Sequence, residues 1–253
     1  MSNIKITPLG TISPYCKNNM NCPGFFIEYN DKKILLDCGN GINRFLSFPN
    51  DLNNLNIFIT HYHLDHYSDI GSIQYASFVY NKLGFLNKKI NIFLPINDYL
   101  DRKKYILNNK ESYSNYFDIS DYVNYNVDDL NISFYNNNSH SIESYIIKLQ
   151  NDDFKVVYTS DIGTTNFDSL VNYCTNSDLL ICESSFLRKH NSSSKTHFTA
   201  YNAGLLAKLS NSKKLMLTHF WPEESKDSYL LEAKEVFDNT LVAQEGKKLI
   251  LRR

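Results

Sequence analysis

The sequence predicts a layered α/β fold, sheets flanked by helices, and two observations predict it. Short apolar runs rich in Ile, Val, Phe and Tyr recur between turn residues, the pattern of buried or half-buried strands. Longer stretches with a helical apolar stripe lie among them, and such mixtures pack as layers. In chain order the strand-like runs begin with FFIEY at 25–29, KILLDCG at 33–39 and NIFITH at 56–61. DIGSIQYASFVYNKLG at 69–84 reads as the first helix and INIFLP at 90–95 as the next strand. LNISFYN at 130–136, SYIIKL at 144–149, KVVYTSD at 155–161 and DLLICES at 178–184 follow. The clearest helix is FTAYNAGLLAKLS at 198–210, where Ala200, Ala203, Leu206, Ala207 and Leu209 make an approximate stripe and Thr199 stands where a cap would. KLMLTH at 214–219 is the last strand and SYLLEAKEVFDN at 228–239 the last helix. The Asn- and Tyr-rich bias, densest at 115–140, reads as the mark of an AT-rich genome, with a mobile lid as the alternative.

A chain of 253 residues, 42% hydrophobic and 21% charged, can bury a sizeable core, and one domain over 1–253 is expected. A net charge of −1 gives no long-range attraction to nucleic acid or anionic membrane, so a polyanionic substrate needs a local basic or metal patch. The opening MSNIKITPLG lacks the charged-then-apolar run of a signal peptide, and no apolar run approaches the roughly 20 residues that span a bilayer. A cytoplasmic protein is the expectation. The odd set Cys16, Cys22, Cys38, Cys174 and Cys182 argues against a disulfide framework. Cys16 and Cys22 also stand too far apart, without a second pair nearby, for a metal knuckle.

Three of the seven histidines fall in THYHLDHYSDI, where the run NIFIT leads directly into His61. Imidazole nitrogen and carboxylate oxygen together suit zinc or manganese, so His61, His63, Asp65 and His66 are candidate ligands. A polar surface loop would carry the same residues. What tips the balance is that three more strand-like runs end in a possible ligand: His140, Asp161 and His219.

The set H-x-H-x-D-H followed by a distant His, Asp and His resembles the metallo-β-lactamase fold superfamily over nearly the whole chain. The resemblance implies a single-domain αββα sandwich with two divalent ions, zinc or manganese. It places His61, His63 and His140 on the first ion, Asp65, His66 and His219 on the second, and Asp161 between both. Asp37, in LLDCGNG, would support the metal loop from behind. An aspartate at the bridging position is closer to the phosphodiesterase and glyoxalase branches than to the lactamases.

CESSF followed by KTHFTAYNAG resembles the ribonuclease Z-like phosphodiesterases. That likeness implies His197 as general acid, Glu183 as its orienting partner, Asp65 on the other side, and Thr199 on the phosphate. His190, in a polar loop, is assigned to solvent. The tRNA-processing members carry a long arm between the positions of His140 and Asp161; residues 141–160 hold only enough chain for a two-stranded hairpin. Large RNA is therefore not expected as a partner. PLGT, CPGFFIEY and LTHFWPEE resemble the armless group that includes phage anti-CBASS nucleases and their bacterial relatives. This implies an enzyme that linearises cyclic mono- and dinucleotides; a homodimer, in the host cytoplasm if phage-encoded, is expected, and the alternative is a tRNA 3′-end endonuclease. Aromatics such as Tyr113, Tyr116, Phe117 and Tyr122 are candidates to stack on the base.

Overall fold

Two mixed seven-stranded sheets organise the chain. The computed structural model describes residues 3–95, 114–190 and 195–252. These residues group into two compact units, Met1–Ile119 with Glu245–Arg253, and Ser120–Gln244.

The first unit contains β1 (Asn3–Gly10), β2 (Gly24–Tyr29), β3 (Lys32–Leu36), β4 (Leu55–Phe58), β5 (Ile90–Pro95) and β6 (Ser114–Ile119). Its helices are α1 (Leu64–Tyr67) and α2 (Ile70–Lys82), and a C-terminal strand (Leu249–Arg252) pairs with β1. Pairing is antiparallel from that strand through β3 and parallel from β3 to β6. Parallel strands are covered on both faces, and all four residues of β4 are buried. Phe58, Phe93 and Phe117 stack across β4, β5 and β6 with ring centroids 4.3 and 4.8 Å apart. The start of the Asn- and Tyr-rich segment is thus a strand and not a lid. Gln74 of α2 donates to the Tyr116 hydroxyl at 2.6 Å, which ties α2 to β6.

The second unit contains β7 (Tyr125–Val127), β8 (Leu130–Asn136), β9 (Tyr145–Gln150), β10 (Lys155–Tyr158), β11 (Leu179–Glu183), β12 (Leu215–Thr218) and β13 (Thr240–Val242). Its helices are α3 (Phe167–Cys174), α4 (Ala200–Leu209) and α5 (Lys226–Lys234). Here β7 to β10 are antiparallel and β10 to β13 parallel, so each unit is built from one antiparallel and one parallel half. β11 and β12 are buried throughout. The antiparallel pair β9 and β10 fills the interval between His140 and Asp161 as expected. Ala200, Ala203, Leu206 and Ala207 form the buried stripe of α4, whereas Leu209, expected in that stripe, is exposed.

Seven elements escape the sequence reading, the single-turn α1 among them. β1 is broken up by Lys5 and Thr7 and shifts register between Pro8 and Gly10. β7 and β13 are three residues long, too short to show a period. β6 buries only its end residues Ser114 and Ile119, the C-terminal strand alternates half-buried and exposed positions, and α3 buries only Leu170 and Cys174. Among the described residues no helix is long and apolar enough to cross a membrane.

Candidate metal centre

In the first unit the site residues leave the carboxyl ends of the parallel strands β3 and β4, where open α/β sheets place their ligands. Asp37 follows β3 in the left-handed region at φ +57°, fully buried. Its Oδ1 accepts the Thr60 N–H at 2.9 Å, and both its oxygens lie within 3.0 Å of the Thr60 hydroxyl. Oδ2 also lies 2.7 Å from His66 Nδ1. The Thr60 hydroxyl stands 3.0 Å from His61 Nδ1. A hydroxyl has one proton; given to the carboxylate, it leaves an oxygen lone pair to accept His61 Nδ1–H. Both imidazoles are thereby held as the tautomer that offers Nε2 as a ligand atom. His61 Nε2 is 3.2 Å from His63 Nδ1, and His66 Nε2 is 3.6 Å from Asp65 Oδ2. Ser13 donates to that same Asp65 oxygen at 2.7 Å.

The α1 turn sits directly on the turn after β3. Cys38 N–H donates to the His66 carbonyl at 2.7 Å, and Asp69 N–H to the Cys38 carbonyl at 3.0 Å. A Cβ on Gly39 would lie 2.2 Å from the Asp65 carbonyl oxygen, so only glycine permits this approach.

The second unit repeats the plan at the ends of β10, β11 and β12. Ser160 (φ +51°) turns the chain into Asp161, His219 (φ +61°) follows β12, and Glu183 is the last residue of β11. Left-handed backbone at Asp37, Ser160 and His219 is strain of the kind that concentrates at functional sites. His219 Nε2 is 2.9 Å from Asp161 Oδ1, and His140 Nε2 is 3.7 Å from Asp161 Oδ2. Glu183 is fully buried; its Oε1 accepts Ile162 N–H at 2.8 Å and lies 3.0 Å from His197 Nδ1. Its Oε2 accepts the Ser185 hydroxyl at 2.6 Å. The loop carrying His197 is pinned by Thr164 N–H donating to the Lys195 carbonyl at 3.0 Å. A Cβ on Gly163 would come within 1.8 Å of that carbonyl oxygen.

Burial alone would push the His197 imidazolium down, but the charge and hydrogen bond of Glu183, helped by Asp161, outweigh it and raise its pKa above the ordinary 6.5. The His197 side chain remains 23% exposed, so it is the member of this cluster that solvent reaches. The ligand atoms of Asp161, His197 and His219 lie within 4.8 Å of one another.

These donors fit a metal. With the His219 proton on Nδ1, its Nε2 lone pair and a carboxylate oxygen face each other at 2.9 Å, an arrangement that repels unless a cation lies between them. All the donors are nitrogen and oxygen, which suits zinc or manganese. The cysteines stay outside the set: all five are free thiols, and Cys16 Sγ lies 3.8 Å from Cys22 Sγ.

His190 is not in solvent as expected. Its side chain is 13% exposed, its Nδ1 accepts Leu187 N–H at 2.9 Å, and its Nε2 lies 2.8 Å from Glu224. Thr199 caps α4, accepting Asn202 N–H at 3.1 Å. Tyr113 lies outside the described residues. Ser13, Thr60, Gly39, Gly163 and Ser185 were missed by the sequence reading. Thr60 and Ser185 adjoin the motifs that were found, whereas Ser13 meets Asp65 only through the fold.

Buried histidines and aspartates at the carboxyl ends of parallel strands, in two mixed sheets, define a metal-binding α/β protein. The chain belongs to the β-lactamase superfamily: the family model described as "Beta-lactamase superfamily domain" matches residues 32–220, a span that runs from before Asp37 to just past His219. It is 27% identical over 252 residues to the Bacillus subtilis protein named "Probable metallo-hydrolase YhfI", covering 96% of this chain and 98% of the relative. It is also 27% identical over 303 residues to the ribonuclease Z of Archaeoglobus fulgidus, covering 97% of each. The crystal structure of YhfI superimposes with a TM-score of 0.88 at 24% identity, over 98% of this chain and 99% of that one. A diphosphatase from the PhnP family superimposes with a TM-score of 0.78 at 15% identity, over 99% and 98%. The fold is the metallo-β-lactamase fold, as the resemblance implied, and the relatives include ribonuclease Z.

Proposed function

We propose that this chain is a two-metal phosphodiesterase that hydrolyses cyclic nucleotides to linear products. His61, His63 and His140 would hold one ion, Asp65, His66 and His219 the other, with Asp161 shared. The family match supports this reading because it spans both half-sets. When bound, the ions would lower the pKa of water and neutralise phosphate charge. The observation that carries the phosphodiester reading is the His197–Glu183 pair at 3.0 Å, next to Asp161 and His219. As water adds to phosphorus and the P–O bond to the ribose oxygen breaks, that oxygen must gain a proton; a histidine whose pKa is raised by a buried carboxylate supplies it. Hydrolysis of a thioester or lactone would leave this pair without a task.

Three observations favour a small substrate over tRNA. The interval between His140 and Asp161 is a hairpin without room for an arm, and the net charge is −1. Aromatic rings also adjoin the acid: the Phe186 ring lies 6.0 Å from that of His197 and 6.4 Å from that of Trp221, both edge to face, and Trp221 is 37% exposed and free to stack on a base. The second reading, a tRNA 3′-end endonuclease, is favoured by the match to ribonuclease Z over 97% of both chains. A homodimer in the cytoplasm that disarms cyclic-nucleotide immune signals, as an anti-CBASS factor if phage-encoded, completes the proposal. The test is to incubate purified, metal-loaded protein with cyclic mononucleotides, cyclic GMP–AMP and precursor tRNA. Linear nucleotides with intact tRNA are expected; cleaved tRNA with intact cyclic nucleotides would select the second reading.

A further inference from the structure

We propose that Ser185 is a positioning residue: its hydroxyl joins Glu183 to His219, so that one buried carboxylate sets both the proton donor and a metal ligand of its unit. This rests on the reading of His219 as a ligand.

The hydrogen-bond directions follow from proton counting. Ser185 is 8% exposed and has one hydroxyl proton. Its shortest contact is Glu183 Oε2 at 2.6 Å, a charge-assisted bond that takes the proton. The lone pairs are then left to accept, and His219 Nδ1 stands 2.8 Å away. His197 Nδ1, at 3.4 Å from the same hydroxyl, is closer to Glu183 Oε1 at 3.0 Å and donates there. Glu183 therefore reaches His197 directly and His219 through the serine.

The serine is needed because the direct path is too long. His219 Nδ1 and Glu183 Oε2 are 3.8 Å apart, beyond hydrogen-bond reach, and the hydroxyl spans that gap. Without it, Nδ1–H loses its acceptor and the preference for the tautomer that presents Nε2 to the metal goes with it. The backbone at this position is anchored independently. Tyr229 donates its hydroxyl proton to the Ser185 carbonyl at 3.1 Å, and Ser185 N–H points to Glu183 Oε2 at 3.3 Å. Loss of Oγ therefore removes the bridge and leaves the chain trace in place. The first unit contains the same device: the Thr60 hydroxyl, 2.9 Å from Asp37, stands 3.0 Å from His61 Nδ1.

The experiment measures zinc stoichiometry and affinity by chelator competition for wild type, Ser185→Ala, Ser185→Thr and His219→Ala. The expected result is that Ser185→Ala weakens one zinc by about 10–100-fold and leaves the other unchanged, while Ser185→Thr restores it. Wild-type affinity in Ser185→Ala alongside zinc loss in His219→Ala would overturn the relay and leave the two-metal reading standing. Unchanged zinc binding in His219→Ala would overturn that reading, and the relay with it. Equal impairment in Ser185→Ala and Ser185→Thr would mark a packing role and overturn the relay. Should Ser185→Ala fail to fold, nitrogen-15 NMR of the zinc-loaded wild type decides: a hydrogen-bonded Nδ1–H on His219 is expected, and a proton on Nε2 would overturn the proposal.

Discussion

Asp37 in the first unit and Glu183 in the second are fully buried carboxylates that perform matching but unequal work. Each binds one histidine directly, His66 at 2.7 Å and His197 at 3.0 Å, and lies against a hydroxyl, of Thr60 or Ser185, that reaches a second histidine. In the first unit both histidines are candidate ligands. In the second, His219 is a candidate ligand, while His197 is partly exposed, has its pKa raised by its Glu183 partner, and is the proposed proton donor. The difference teaches that similar supporting geometry can fix a lone pair for a metal or a proton for a leaving group.

The largest expected effect separates those two uses. His197→Ala should lower kcat on a cyclic nucleotide by about 10²–10⁴-fold, the usual worth of a general acid. On a p-nitrophenyl phosphodiester, whose leaving group needs no proton, the deficit should nearly vanish. Asp37→Asn should cost about 10–100-fold in metal affinity, and its activity deficit should be the same on both substrates. Steady-state kinetics on the two substrates checks both; an equal loss for His197→Ala on each would break the distinction.

A second effect is the pH response. In the metal-free protein, His197 should titrate above its unfolded value of 6.5, and Glu183→Gln should bring that midpoint down, while Asp37→Asn leaves it unmoved. A raised folded-state pKa contributes stability that is fully present below 6.5 and is lost as pH rises through the folded value. Proton NMR of the imidazole measures the midpoint, and a midpoint below 6.5 in the wild type would contradict this account of the pair.

Gly39 and Gly163 give the smallest and most symmetrical comparison. Each stands two residues after a site aspartate, and a Cβ would press on a backbone oxygen, at 2.2 Å from Asp65 and 1.8 Å from Lys195. Replacement by alanine should cost about 1–3 kcal/mol in either unit, measured by denaturant unfolding. A neutral result at one of them would show that its turn can relax.

Much of this was legible in the sequence, for physical reasons. The fully buried strands β4, β11 and β12 read as continuous apolar runs, and their carboxyl ends put His61, Glu183 and His219 in view. α4 announced itself through its alanine stripe and Thr199 cap. Edge strands such as β6 were not legible, because one exposed face dilutes the pattern, and neither was the contact of the Tyr116 hydroxyl with Gln74 of α2. The hydroxyls were not legible either. Nothing in CESSF distinguishes Ser185, whose hydroxyl bridges Glu183 and His219, from Ser184, whose hydroxyl donates to the Thr218 carbonyl at 3.0 Å. His190 was misassigned because its partner, Glu224, is distant in sequence.

The central proposal is that the chain binds a pair of ions. Diffraction from crystals of the zinc-loaded protein, recorded on either side of the zinc absorption edge, tests it most directly. Two anomalous peaks per chain are predicted, one about 2.0–2.2 Å from His61, His63 and His140, the other at that distance from Asp65, His66 and His219, with Asp161 touching both. A single peak bound by residues of one unit alone would contradict the account.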